Sequence, residues 1–234
     1  MATLIMNRKY KRIFYKAINK VGAADAYDKF NTRCFYTIRR LNKMYKANIK
    51  ASENFDFDSA GALRDELFDV LKKEVKDNLT FRESVYNYSD FGAERRIVAK
   101  AHAYKILLDK YAPNSKVNVK VEPGRAHYDW VDRYFKTSDG LSDVLFPAYE
   151  ILHEFTHFLQ DIYKSSQPAW KIKLAQKNYM TDSYLYKYTN NGAKQILAKK
   201  IYDVNLEEKE AKYIGRPVLD EELVEYIDSL KQNG

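Results

Sequence analysis

Two histidines stand four residues apart, with a glutamate directly after the first, in the stretch YEILHEFTHFLQDI at 149–162. Residues with this spacing share one face of a helix, so His153 and His157 are predicted to present their imidazoles side by side. The residues around them are uncharged: Ile151, Leu152, Phe155, Thr156, Phe158 and Leu159. A surface helix carries charges on its outer face, so this pattern indicates a buried helix. The stretch therefore predicts a core helix that brings two metal-binding side chains together.

The two histidines also have the spacing of a metal site. Zinc binds imidazole nitrogen at about 2.0–2.1 Å and prefers four ligands, so His153 and His157 would supply half of its coordination. Glu154 points about 100° around the helix from His153, close enough to reach a water beside the metal. A carboxylate there can take a proton as the water attacks a carbonyl, then pass it to the leaving amine. The opposing interpretation is a core helix whose two histidines are satisfied by hydrogen bonds.

The residues before the motif predict helices followed by a small sheet. Apolar residues recur at helical spacing over 62–77 and again over 92–111. The stretch KVNVKVEP at 116–123 alternates polar and apolar residues, which predicts a strand. The aromatic-rich stretch at 125–135 predicts the strand that pairs with it. Helices followed by a small sheet and then by the motif helix predict an α+β fold.

The motif helix is expected to be capped by Ser142 or Asp143 and to end near Tyr163. The mixed composition of 164–190 predicts a loop region. Further helices are predicted at 192–200, at 205–215 and from Asp220 to about Lys231.

Positive charge is concentrated near the N-terminus. Residues 1–50 carry a net charge of +11, against +8 for the whole chain of 234 residues. Apolar residues recur at helical spacing over 4–20. The polar stretch ASENFDFDSAG, which follows the basic residues, indicates a domain boundary. We predict a basic helical N-terminal segment at 1–55 and a larger domain at 56–234. The charge is either a solvated helical face or a surface that contacts nucleic acid or a large assembly.

Other features exclude several classes of protein. Cys34 is the single cysteine, so no disulfide can form within the chain, as is typical of a reducing compartment. No apolar run approaches the roughly 18 residues that a membrane span needs. The N-terminal residues lack the order of charge and apolar residues that marks a signal peptide. We therefore expect a cytoplasmic protein without a membrane span.

The segment HEFTHFLQ resembles the active-site helix of zincin metallopeptidases. No histidine follows His157, which excludes zincins whose third metal ligand is a downstream histidine. The stretch YDVNLEEKEAKYIG at 202–215 resembles the E-x-x-A segment that carries the third ligand in gluzincin-like peptidases. Those peptidases include the ImmA/IrrE type and metallopeptidases of phages and mobile elements. The resemblance covers about 116–215 and implies a zincin-like domain after the basic segment.

The resemblance also implies which residues form the site. His153 and His157 would be ligands of Zn²⁺, and Glu154 the general base. The first residue of the E-x-x-A pattern, Glu208, would be the third ligand. Two neighbouring acids are alternatives for this third position: Glu210 and Glu207.

Three further residues have candidate roles. His127, on the predicted aromatic strand, either stabilises a developing oxyanion or is an ordinary, partly buried histidine. Tyr202 flanks the third-ligand segment and could donate to the same oxyanion. Glu150 departs from the zincin pattern, which usually has Val or Thr there. Glu150 either supports the metal ligands without binding the metal itself or is an exposed charge.

Three functions are compatible with these features. The leading one is a zinc-dependent peptidase that acts on protein or peptide substrates. The alternative is a structural, cargo or docking protein with a vestigial zincin site. Its basic segment would bind nucleic acid or a large assembly. A phage product carried in the virion could be such a protein. The ImmA-like resemblance implies a third, a regulatory peptidase that cleaves one partner recruited by the basic segment.

Overall fold

A computed structural model describes residues 37–121, 126–129, 132–137, 143–188 and 192–232. The helix predicted at 4–20, most of the basic segment, and Cys34 lie outside these ranges. Within them the chain is mostly helical and contains a three-stranded sheet, which confirms the predicted α+β class.

The described elements run from four helices, through the sheet, to five further helices. The first helices are α1 (Ile38–Ser52), α2 (Phe57–Asp77), α3 (Leu79–Tyr86) and α4 (Ala93–Tyr111). The strands are β1 (Asn118–Val121), β2 (His127–Asp129) and β3 (Tyr134–Thr137). The later helices are α5 (Ala148–Ile162), α6 (Ala169–Tyr188), α7 (Gly192–Asp203), α8 (Leu206–Ile214) and α9 (Val218–Gln232). Short 3₁₀ turns lie at Tyr88–Asp90 and Lys164–Ser166.

Most helix predictions are confirmed, because they rest on clear apolar periods. Both α2 and α4 cover the segments predicted as helix, and α2 begins earlier, where Asp56 accepts the N–H of Ser59 at 2.9 Å. The loop predicted at 164–190 is wrong, since α6 occupies most of it. The sequence of α6 has no one-sided apolar period that would indicate a helix.

The sheet differs from the predicted pair of strands. Its order is β1-β3-β2, with β3 parallel to β1 and antiparallel to β2. The prediction of a single strand over 125–135 is wrong, because the chain turns before β3. Asp132 donates its N–H to Asp129 Oδ1 at 2.9 Å, and Arg133 has a left-handed φ of 52°. Neither glycine nor proline marks this turn, so the aromatic pattern conceals it.

Internal contacts divide the chain into two units. One comprises 1–55 with 167–209, and the other comprises 56–166 with 210–234. The break after residue 55 falls where the polar stretch indicates a boundary, whereas 167–209 group with the N-terminal residues. The assignment of 1–55 and 56–234 as domains stays a prediction.

The first unit has a small apolar core and a buried polar pair. Leu41 of α1 packs with Ala198 and Ile201 of α7. Asn48 of α1 and Asn178 of α6 are buried and exchange two hydrogen bonds of 2.8 and 2.7 Å. Burying these amides is tolerated because each satisfies the other.

The second unit is built around α5, which carries the histidine motif. Phe155 and Phe158 of this helix lie 6.0 and 5.7 Å from the ring of Phe135 on β3. Tyr104 of α4 stacks on the same ring at 4.3 Å. All four side chains are buried, so α5 is the core helix that the motif predicts. Aromatic contacts of defined geometry fix the rotation of α5 about its axis, and hence the direction of its histidines.

Candidate metal centre

Helix α5 presents both histidines of the motif on one side. The ring centroids of His153 and His157 lie 4.9 Å apart, and the ring planes are inclined by 83°. Both residues are partly buried, between the core and the solvent. The helical spacing therefore brings two imidazoles together at a point that remains accessible.

Glu208 of α8 completes a group of three possible metal ligands. One ligand atom from each of His153, His157 and Glu208 lies within 4.8 Å of the others. Donor atoms around a single tetrahedral zinc lie roughly 3.5 Å apart, so small side-chain rotations would bring this group onto one ion. Two imidazole nitrogens and a carboxylate oxygen, with a fourth position open, form a donor set of catalytic zinc sites. These residues therefore fit a zinc ion.

The later residues of the helix that carries Glu208 belong to the same unit as α5. The boundary between the two units falls within α8, after Lys209, but the helix itself is continuous. Its later residues Ala211 and Ile214 are fully buried in the second unit. Gly215 follows directly and lies so close to the backbone of α5 that no methyl group fits on it. Gly215 therefore brings the C-terminal end of α8 close to the helix of the two histidines.

Glu154 is oriented by the neighbouring strand. Its side chain is 10% exposed, and Oε2 accepts the backbone N–H of Tyr128 at 2.7 Å. The other oxygen, Oε1, lies 3.9 Å from Nε2 of His153. The Tyr128 hydroxyl donates to Oδ2 of Asp161 at 3.2 Å, which ties β2 to α5 a second time. Burial raises the pKa of Tyr128, so this hydroxyl stays protonated at neutral pH. One carboxylate oxygen of Glu154 is thus anchored, and the other faces the histidines.

The N-terminus of α5 is capped by a distant residue. The helix begins directly after Pro147, which makes no side-chain cap, so the expected capping by Asp143 is wrong; Ser142 lies outside the described residues. The N–H of Tyr149 instead donates to Oδ1 of Asp220 on α9, at 2.9 Å. A carboxylate suits this place, because the exposed N–H groups of a helix start attract negative charge. The sequence predicts that Asp220 starts the last helix, whereas α9 begins at Val218 and Asp220 caps α5 instead.

A buried lysine balances the acids beside this cap. Nζ of Lys100 is fully buried, 3.1 Å from Oδ2 of Asp143 and 3.9 Å from Oε1 of Glu150. Burial raises the pKa of Glu150, and Lys100 opposes that rise. Burial also raises the pKa of Asp220 to about 7, with repulsion from Asp143 and Glu150 adding to it and backbone hydrogen bonds opposing it. Glu150 is therefore part of an internal charge cluster rather than an exposed charge.

The other candidates lie outside the group of three possible ligands. Glu210, one of the two alternatives, accepts a hydrogen bond from Nε2 of Gln160 at 2.8 Å. Glu207 is partly buried at the start of α8. His127 is exposed on β2, and Tyr202 is partly buried on α7. Of the three acids considered, Glu208 is the one that the structure brings to the histidines.

Three residues of the site were not singled out for it from the sequence. Gln160 follows His157 by three positions, so helical spacing could have indicated their contact. In the sequence, Gly215 marks only the end of the helix predicted at 205–215, and Asp220 only the start of the next one. Their contacts with α5 join residues about 60–70 positions apart, and a local pattern cannot indicate such contacts.

Comparison of the chain with protein-family models, with curated proteins and with solved structures returns no match. Among the described residues, no helix is both long and apolar enough to cross a membrane.

Proposed function

We propose that this protein is a zinc-dependent peptidase that hydrolyses peptide bonds. One observation carries the proposal: His153, His157 and Glu208 lie together, and Glu154 directs a carboxylate oxygen toward them. Two histidines satisfied by core hydrogen bonds would need neither a third ligand nor an oriented carboxylate. The resemblance of HEFTHFLQ to the zincin helix agrees with this interpretation.

The chemistry follows from the positions of these residues. A zinc ion held by His153, His157 and Glu208 would supply Lewis acidity to water and to the substrate carbonyl. Glu154 takes a proton from the attacking water at Oε1, the oxygen that is not bonded to the strand. The same carboxyl then returns the proton to the leaving amine, which departs as the peptide C–N bond breaks. The N–H of Tyr128 keeps Glu154 in one orientation through both transfers.

The decisive experiment compares the wild type with Glu154→Gln. The amide can still accept the N–H of Tyr128, but it cannot take a proton. We expect both proteins to hold about one zinc per chain after dialysis, measured by mass spectrometry. Cleavage of casein and of a quenched fluorescent peptide library should fall by about 10²–10⁴-fold in the variant. Glu225→Gln, which removes an exposed carboxylate from α9, is the matched control.

Two outcomes would overturn the proposal. An active Glu154→Gln protein would refute the assigned general base. A wild type that binds zinc but cleaves no member of the library would instead favour the alternative of a structural or vestigial site.

A further inference from the structure

A chain of two hydrogen bonds leads away from the metal centre through His157. Nδ1 of His157 lies 2.9 Å from Oε1 of Gln160. Nε2 of Gln160 donates to Oε2 of Glu210 at 2.8 Å. Both contacts are partly buried and lie wholly within the second unit. Glu210 therefore contacts the site through an amide rather than as a ligand.

The carboxylate of Glu210 sets the direction of both hydrogen bonds made by Gln160. A carboxylate accepts hydrogen bonds and does not donate them, so Glu210 requires the NH₂ side of the Gln160 amide. The carbonyl side of that amide then faces His157, and it also only accepts. Nδ1 of His157 must therefore carry the hydrogen. In a neutral imidazole the other nitrogen, Nε2, is left with the lone pair that a metal needs.

We infer that Gln160 and Glu210 are positioning residues that hold His157 as a metal ligand, by fixing both its tautomer and its ring rotation. If the amide turned over, its NH₂ group would face Nδ1, and His157 would carry its hydrogen on Nε2. That tautomer cannot offer Nε2 to a metal. Glu210 prevents the reversal because it accepts only one side of the amide. The inference rests on the metal site of the proposed function.

The tautomer can be read directly in the metal-free protein. The chain has four histidines, so ¹⁵N-histidine labelling gives a long-range ¹H–¹⁵N spectrum with few imidazole signals, which can be assigned. We would record it in the presence of a chelator at pH 8, where an unperturbed imidazole is neutral. The wild type should show His157 protonated on Nδ1. Gln160→Leu, which removes the amide, should shift a large share of His157 to the Nε2-protonated form.

A paired exchange separates hydrogen bonding from packing. Glu210→Gln alone lets either side of the Gln160 amide face position 210, so both tautomers should appear. Gln160→Glu combined with Glu210→Gln restores an acceptor to His157 and a donor behind it, with the same net charge. This double variant should recover the Nδ1-protonated form. Glu207→Gln removes a charge from the same helix but lies outside the chain of two hydrogen bonds. Its His157 should show the same tautomer as the wild type.

Zinc affinity, measured by competition with a chromogenic chelator, gives the second readout. Mutation of a residue that hydrogen-bonds to a metal-bound histidine typically lowers the affinity for the metal by about 10–100-fold. We expect a loss in this range for Gln160→Leu and near-wild-type affinity for the double variant. Circular dichroism would establish that every variant is folded. If the wild type holds His157 in the Nε2-protonated form, or Gln160→Leu leaves the tautomer unchanged, the inference is wrong. A protein with the expected tautomer but no zinc binding would instead refute the proposed function alone.

Discussion

Gly215 lies directly against the backbone of His153, the first histidine of the motif. A Cβ atom on Gly215 would fall 2.7 Å from both the N and the Cβ of His153, and would collide with the carbonyl oxygen of Tyr149. These distances are shorter than real Cβ contacts allow, and most of the opposing atoms are backbone. Close approach of two helices is therefore the reason for a glycine after α8.

We accordingly expect Gly215→Ala to push α8 away from α5. Overpacking of this kind typically costs about 1–3 kcal/mol, and the shift should also weaken zinc binding by displacing Glu208. Urea denaturation and chelator competition measure the two effects. Gly61→Ala, near the start of α2, is the matched control, because its new methyl would meet only the Tyr213 hydroxyl, at 3.8 Å. Equal stability of the two variants would contradict the close contact.

The third metal ligand can be identified by removing the neighbouring acids one at a time. If the proposed function holds, Glu208→Ala should lose zinc during dialysis, because it removes one of three protein ligands. Glu207→Ala should retain it, since Glu207 is not in the ligand group. Metal analysis of the dialysed proteins measures both. Zinc retained by the first variant and lost by the second would exchange the two assignments.

Asp220 should make stability depend on pH between about 4 and 7. Burial raises its pKa to about 7 from an ordinary value of 3.8, so in this interval the folded protein keeps a proton that the unfolded chain has lost. This contribution is fully present below pH 3.8 and is lost as the pH rises through 7. Asp220→Asn cannot ionise, yet its side-chain oxygen can still accept the N–H of Tyr149.

We therefore expect Asp220→Asn to gain stability over the wild type at pH 8, by about 1 kcal/mol after allowing for partial exposure. The gain should shrink at pH 5, where the wild-type carboxyl is mostly protonated. Thermal unfolding at both pH values, with a chelator present, tests this. The same stability difference at both pH values would show that Asp220 does not titrate in this range.

Lys100 should be more important for stability than an ordinary lysine. Its amine is fully buried between Asp143 and Glu150, so Lys100→Met leaves two partly buried acids without their cation. Breaking a buried ion pair in this way typically costs about 3–5 kcal/mol. Lys173→Met, at an exposed position of α6, should change the free energy of unfolding very little. Similar urea midpoints for the two variants would contradict the buried pair.

The parts of the fold that were predictable have strong local patterns. The apolar periods of α2, α4 and α5 identify these helices, and the alternation at 116–123 identifies β1. The two wrong predictions of secondary structure concern segments without such patterns. The sequence of α6 has no one-sided apolar period, and the turn before β3 uses Asp132 and Arg133 rather than glycine or proline.

The sequence by itself determined the helical pairing of His153 with His157 and the position of Glu154 beside them, because helix geometry links residues one turn apart. It narrowed the candidates for a third ligand to Glu207, Glu208 and Glu210, but neighbouring residues of a helix point in different directions. Only the tertiary structure places Glu208, rather than Glu207 or Glu210, in one group with the two histidines.

Tertiary structure alone also supplied the partners of α5. Tyr128 orients Glu154, Asp220 caps the helix, and Gly215 sets the distance to α8. These contacts join segments that are far apart in the chain, so no short pattern contains them. They depend on how β2, α9 and the segment around Gly215 pack against α5. This packing gives the side chains of the histidine motif defined positions.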